Sequence, residues 1–380
     1  MGRCIGIDAD MKKLAIMIKG GDGTCEEYEC PCSEKGLQAF EEQLIPGDHI
    51  ALEASLNSYY LYDRFKMKGV EVSIANPMKL KLLSKNPQKN DRNEAGKITT
   101  LLYVDSLPTI WVPDEENRHD RELLHHRYAL VRDRTRIKNR IRSILGKHGL
   151  VCNATDIQYK DAQVFLQRVL LRLHWTARGK LESFLRQLEM VEKEIEQAQR
   201  VIETRADRYP ELDTLITIPG MDTLTAFTII TVIGDITRFP RPESLANYAG
   251  MVPRLRNSGK HSWSGSITKA GSKQLRWAVT EVVQSLVRQP GSFQKFYRKK
   301  SKGKRRGIAL IACGRKLLEA IWHMLSNNEP FRETNPTLHS RKLHRREIRP
   351  RAQKTSPGDS LPALRKNFAL LRELAGGSSC

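Results

Sequence analysis

The chain of 380 residues contains no apolar run approaching the ~18–20 residues of a membrane-spanning helix, which excludes an integral helical membrane protein. Its opening, MGRCIGIDAD, lacks a charged-then-apolar leader, so secretion is not expected. The seven cysteines are odd in number and scattered, which argues against a disulfide framework and for a reducing cytoplasm. Cys25, Cys30 and Cys32 have no second Cys or His pair at finger spacing, which argues against zinc. Acidic residues are also short, at 43 against 64 Lys and Arg, for a net charge of +21. With 39% hydrophobic and 28% charged residues, packed cores remain possible and a wholly disordered chain is excluded. The length fits two or three domains.

The surplus of positive charge is uneven. Residues 1–113 hold 14 Lys and Arg against 16 Asp and Glu, while the remaining 267 hold 50 against 27. A near-neutral first part and a strongly basic remainder point to a nucleic-acid partner gripped by the middle and end of the chain. The plainer alternative is a basic protein with solvated faces.

Residues 3–18 pattern as strand, turn and strand, with a third strand over 26–32. A Ser-capped amphipathic helix follows from 33, then a short buried strand over 49–55, a helix closed by Gly69, a strand closed by Pro77 and a helix over 91–105. This order predicts an α/β sheet domain over 1–113.

Residues 114–208 change to heptads. Leu181, Leu188, Ile195 and Ile202 occupy one seam and Phe184, Val191 and Ala198 the other, while Lys138 interrupts the earlier repeat of Leu124, Val131 and Leu145. The pattern predicts a coiled coil or long helical hairpin, with two ordinary amphipathic helices as the alternative. The outer face of the first helix, including Arg134 and Lys138, suits phosphate tracking. Residues 209–328 pattern as a mostly helical unit with an Arg-, Gly- and Ser-rich loop at 253–273, and the stretch 295–307 holds seven Lys and Arg after an aromatic pair. Residues 329–380 have the composition of a basic, mostly disordered tail, with a short helix candidate in LPALRKNFALLREL near the end.

Two sets of residues carry chemistry. Asp8 ends an apolar strand, Glu53 ends another, and Asp91 and Glu94 lie one turn apart on a helix. Converging carboxylates of this kind suit a hard divalent ion acting on a phosphodiester; taken singly, Asp8 serves as a turn residue and Asp91 as a helix N-cap, while Glu53 at the end of an apolar strand is costly unless paired or metal-bound. The serine loop contains Ser258 with Arg254, Arg256, Lys260, Lys269, Lys273 and Arg276. It suits either a serine nucleophile or simple phosphate binding. Lys299, Lys300, Arg305 and Arg306 extend the basic surface. The IPGMD turn at 218–222 partly matches a helix-hairpin-helix, with Asp222 where a second Gly is usual.

The combination of a GID strand, a strand ending LEAS, a DRNEA helix, heptad helices and a unit with IPG, IGD, YAG, NSGK and ITKAGSKQLR resembles DEDD-type insertion-sequence transposases over roughly 1–325. The resemblance is to the "IS one-ten" group with its "eleven-eleven" branch, RNA-guided recombinases. It implies a RuvC-like, RNase H-type first domain whose Asp8, Glu53, Asp91 and Glu94 bind Mg²⁺, with Glu94 standing where the family has Asp. It further implies Ser258 as nucleophile, donor and target DNA with a structured guide (bridge) RNA as partners, and dimers or tetramers pairing acidic cluster and serine loop from different subunits. A bacterial or archaeal cytoplasm, at the nucleoid, is the implied location. A RuvC-like nuclease using water and an inactive nucleic-acid-binding relative are the competing readings. A covalent serine adduct separates the first from the recombinase, and metal-dependent cleavage removes the second.

Overall fold

The computed structural model describes residues 2–83, 91–152, 160–258 and 261–348, with side chains described for all of these except 91–92, 160, 255–258, 261–264 and 345–348. The chain divides into two compact units between Pro113 and Asp114.

The first unit runs β1 (Cys4–Ala9), β2 (Lys13–Lys19), β3 (Cys25–Pro31), α1 (Glu34–Glu41), β4 (His49–Glu53), α2 (Ser58–Lys66), β5 (Glu71–Ala75), α3 (Pro77–Leu83), α4 (Asp91–Tyr103) and β6 (Thr109–Ile110). Its sheet has the order β3-β2-β1-β4-β5-β6. The first three strands are antiparallel, β1, β4 and β5 are parallel, and β6 returns antiparallel. Ile5, Ile7, Ile50, Leu52 and Ile74 bury one face against Phe40 of α1 and Leu61 and Phe65 of α2. Each contributes about 1.5–3 kcal/mol by leaving water. Ala51 and Ala75 belong to a second core with Leu80 of α3 and Ile98 and Leu102 of α4. Pro77 opens α3 as well as ending the strand, because Asn76 Oδ1 accepts from the Met78 and Lys79 amides at 3.1 and 3.2 Å.

The second unit begins with α5 (Glu115–Lys147), α6 (Lys160–Arg172) and α7 (Trp175–Ala206). There follow α8 (Glu211–Leu215), α9 (Thr223–Ile233), α10 (Pro242–Tyr248), β7 (Pro253–Ser258), β8 (His261–Ile267), α11 (Lys273–Leu286), α12 (Ser292–Ser301), α13 (Arg306–Asn327) and α14 (Pro336–Ile348). The long helices α5 and α7 pack on each other within the chain. Leu181, Leu188, Ile195 and Ile202 are all buried in that packing. Where α7 ends, Arg205 Nε and the Tyr209 hydroxyl both donate to the buried Asp120 carboxylate of α5 at 2.6 Å. A larger core lies among α8, α9, α10, α11 and α13, where Phe227, Leu245, Val279 and Leu317 are fully buried. Among the described residues no helix is long and apolar enough to cross a membrane.

Two expectations about the fold need correction. The stretch at 253–273 is not a plain loop: it contains the two-stranded hairpin β7–β8, paired from Pro253↔Ile267 to Ser258↔His261. Its strands are rich in Arg and Ser, so the sequence carries little of the apolar alternation that marks a half-buried strand. The basic stretch at 295–307 divides among the end of α12, whose Phe293 is buried, the turn after Ser301 and the start of α13. Residues 329–348 are not disordered, because Phe331 is buried and α14 is anchored by Lys342, whose ammonium donates to the Ile216 and Ile218 carbonyls at 2.6 and 2.7 Å. The buried Phe331 ring, its amide donating to Thr217 Oγ1 at 2.9 Å, Glu333 accepting from the Ser292 amide at 2.9 Å and the Lys342 ammonium hold the segment, which composition cannot reveal; residues 349–380 lie outside the described residues.

Candidate active site

β1 and β4 run parallel with Ile7 opposite Leu52, so the next residues on each strand, Asp8 and Glu53, stand side by side at the carboxyl ends. Their neighbours Ile7 and Leu52 fill the core toward α1 and α2. Alternation therefore turns Asp8 and Glu53 to the face covered by α4. Both are half-buried. Close approach of α4 depends on Gly6, because a Cβ there would stand 2.3 Å from Thr99 Oγ1 and 2.5 Å from the Ala95 carbonyl oxygen. Thr99 fastens the crossing by donating to the Met17 carbonyl at 3.1 Å. Ala95 borders the same small cavity as Ala15, the partner of Asp8 on β2. Glu94 thus lies toward the Asp8 end of the helix, with its carboxylate 2.9 Å from Lys97 Nζ.

The arrangement brings Asp8 and Glu53 together under the helix that carries Glu94. Asp91 begins the same helix, and its side chain lies outside the described set. Among the described residues no three His, Cys, Asp or Glu side chains are gathered closely enough to hold a metal ion. The donor set itself is all carboxylate, the chemistry a hard divalent cation prefers. Gly6 and Lys97 were not anticipated. A glycine inside an apolar strand is the available signal for close helix approach, and the i,i+3 step from Glu94 is the signal for Lys97.

Ser258 ends β7 opposite His261, at the tip of the hairpin. Its side chain and that of Arg256 lie outside the described set, and Lys260 lies outside the described residues. Arg254, Lys269 and Lys273 are exposed. Arg276 is not a free cation on the surface, since its Nη1 donates to the Ala249 and Gly271 carbonyls at 2.9 and 2.8 Å. In the IPG turn, Asp222 caps α9 by accepting from the Thr225 amide at 2.8 Å, so that amide is not open to a phosphate.

The basic residues divide. Lys299, Lys300, Arg305 and Arg306 are exposed around the α12–α13 connection, with Lys300 5.5 Å from the Phe296 ring centre. Lys316, missed in the sequence, lies 4.9 Å from the same ring. Arg134 stands 3.6 Å from Glu192 and keeps 31% of its side chain exposed. Lys138 is a correction: its side chain is 10% exposed and its ammonium lies 3.9 Å from Glu192, so it belongs to the helix seam and not to a phosphate-tracking face. A cation at a seam position turns inward when a carboxylate faces it.

Comparison with known proteins covers both units. The DEDD_Tnp_IS110 family model (Transposase) matches residues 5–149, and that of the Transposase IS116/IS110/IS902 family matches residues 212–298. The transposase for insertion sequence element IS1111A of Coxiella burnetii is 26% identical over 74% of this chain and 79% of its own length. Putative transposase y4qE of Sinorhizobium fredii is 26% identical over 73% of this chain and 70% of its own. The pilin gene-inverting protein of Moraxella lacunata is 29% identical over 69% of this chain and 74% of its own. One family model falls on the carboxylate-bearing sheet and the other includes the serine hairpin, and on that agreement the chain belongs to the IS110-type transposases, enzymes of DNA transposition and recombination.

Proposed function

We propose that this transposase excises and inserts its element by covalent serine chemistry assisted by Mg²⁺, with an RNA guide choosing the DNA. The observation that carries this reading is the side-by-side position of Asp8 and Glu53 on parallel strands, beneath the helix of Glu94. The order β3-β2-β1-β4-β5, antiparallel then parallel, supports a RuvC-like, RNase H-type domain over 1–113. Residues 114–208 serve as the helical segment that organises dimers or tetramers. Residues 209–328 form the serine domain, and 329–380 is a basic extension that begins as the α14 strap.

Asp8, Glu53, Asp91 and Glu94 would hold the ion. When bound, Mg²⁺ supplies charge neutralisation at the phosphoryl oxygens. Ser258 Oγ attacks the scissile phosphorus; an Oγ–P bond forms and the bond to the leaving strand breaks. That strand departs as a hydroxyl, taking up one proton for the one the serine gives up. Attack by a second strand's hydroxyl reverses the step and frees Ser258. Arg254, Arg256, Lys260, Lys269 and Lys273 neutralise phosphates along the hairpin, and Lys299, Lys300, Arg305 and Arg306 do so at α12–α13. Base pairing with a structured guide RNA leaves the protein mainly backbone contacts, for which the +21 charge is suited. A site completed by the serine hairpin of a second subunit, in a cytoplasm at the nucleoid, completes the reading.

Circle-junction formation in cells carrying the gene with its native flanks tests this, with wild type beside Ser258→Ala. The expected result is a junction from wild type alone. Junctions from both would move the nucleophile elsewhere, and strand cleavage without junctions would favour hydrolysis by water.

A further inference from the structure

Arg276 lies in the first turn of α11, and its two hydrogen bonds reach the two ends of one structure. Ala249 leads from α10 into β7, and Gly271 leads from β8 into α11. One guanidinium nitrogen therefore joins both legs of the hairpin, at 2.9 and 2.8 Å. The legs also bond each other, Thr268 N–H to the Val252 carbonyl at 2.9 Å and Lys269 N–H to the Gly250 carbonyl at 3.1 Å. Both bend at that level in the left-handed region, Gly250 at φ +65° and Lys269 at φ +56°. The fit is tight: a Cβ on Gly271 would meet the Tyr248 carbonyl oxygen at 1.8 Å, and one on Gly250 the Ala270 nitrogen at 2.6 Å.

A cation here works against its surroundings. The first turn of a helix is its positive end, which repels a guanidinium. Burial pushes the pKa of Arg276 down. Neutral carbonyls compensate less than a carboxylate does. Arg276 is half-buried, and its Nη1 is committed to two carbonyls from separate segments and not open to a phosphate.

We infer that Arg276 is a positioning residue that locks the legs of the β7–β8 hairpin and thereby fixes where Ser258 meets the scissile phosphate. The inference rests on Ser258 being the nucleophile. At a strand rise of about 3.3 Å per residue, the tip stands roughly 17 Å beyond the legs. Rocking the legs by about 5° then moves the tip by about 1.5 Å, and a misplacement of about 1 Å costs up to about 100-fold in rate.

The test uses the full chain with element-end DNA and RNA transcribed from the element's flank. It measures detergent-resistant protein–DNA adduct, DNA affinity and melting temperature. Arg276→Met is expected to lower the adduct rate about 100-fold with DNA affinity held within about twofold, and Arg276→Lys to fall between it and wild type. Millimolar guanidinium is expected to restore at least about tenfold of the loss in Arg276→Ala, a recovery that a merely destabilised fold would not give. Adduct at the wild-type rate in Arg276→Met, affinity lost in proportion to rate, or loss without rescue overturns the clamp. If Arg276→Met fails to fold, the same comparison is made with Arg276→Lys. An adduct surviving in Ser258→Ala overturns the nucleophile. No adduct from wild type overturns both.

Discussion

Asp8 and Glu53 are held by their neighbours on paired strands, whereas Ser258 ends a hairpin secured at its legs. On the sheet, each carboxylate's direction follows from register: Ile7 and Leu52 are fully buried on one face, so the next residue must occupy the other. A one-residue slip would drive both carboxylates into the apolar core toward α1 and α2 and take both aliphatic side chains out of it, which the core forbids. In the second unit the corresponding constraints are polar and long-range, made by Arg276, Asp120 and Lys342. Position by hydrophobic register resists single changes in polar groups; position by a few hydrogen bonds does not.

That contrast is broken most directly at the sheet. Glu53→Ala is expected to lower strand cleavage about a thousandfold, the equivalent of about 4 kcal/mol of transition-state stabilisation, with little loss of fold. Gly6→Ala, which removes no carboxylate, is expected to lower it as well. Its methyl group would push α4, with Glu94, away from β1. Cleavage rates beside circular dichroism decide the matter. Full activity in Glu53→Ala would remove it from the site, and full activity in Gly6→Ala would show that the seating of α4 is irrelevant.

The first unit was legible because its strands follow an apolar pattern and its helix caps carry local signals. β1, β2, β3, β4 and β5 follow the apolar pattern, and Ser33 caps α1 as its position suggests, accepting from the Gly36 amide. β6 escaped because a two-residue strand has no period. In the second unit the Leu181–Ile202 seam was legible for the same reason. The hairpin and α14 were not, since no hydrophobic period distinguishes them and their anchors join residues far apart in sequence. Lys138 shows the same limit: its spacing marks a seam position, but only the facing Glu192 decides that the cation turns inward.

A smaller effect tests whether α14 depends on its lysine. Burial pushes Lys342 from its ordinary 10.5 down to about 8, against the opposing charge of Asp222. Below about pH 8 the lysine is protonated both folded and unfolded, and the folded state bears the cost of burying the charge. Between about 8 and 10.5 the unfolded chain binds the proton and the folded chain does not, so stability rises with pH. Wild type is expected to gain up to about 3 kcal/mol over Lys342→Met between roughly pH 7.5 and 10, measured by denaturant midpoints. A constant difference across that range would mean that the lysine's burial has no energetic part in anchoring the strap.

The smallest effect separates cations that face outward from those that the fold has turned in. Each phosphate neutralised releases counterions and adds about 0.9 to the slope of log affinity against log salt. Lys300 is exposed at the end of α12, so Lys300→Ala is expected to reduce that slope by about one, with little change in melting temperature. Lys138 has Glu192 at 3.9 Å and little exposure, so Lys138→Met is expected to leave the slope unchanged and to show its effect in stability. Both variants remove one positive charge, and a titration that responded only to net charge would treat them alike. Equal slopes would therefore assign DNA binding to the overall field of the basic unit, whereas unequal slopes would assign it to contacts made by the outward-facing cations of α12 and α13.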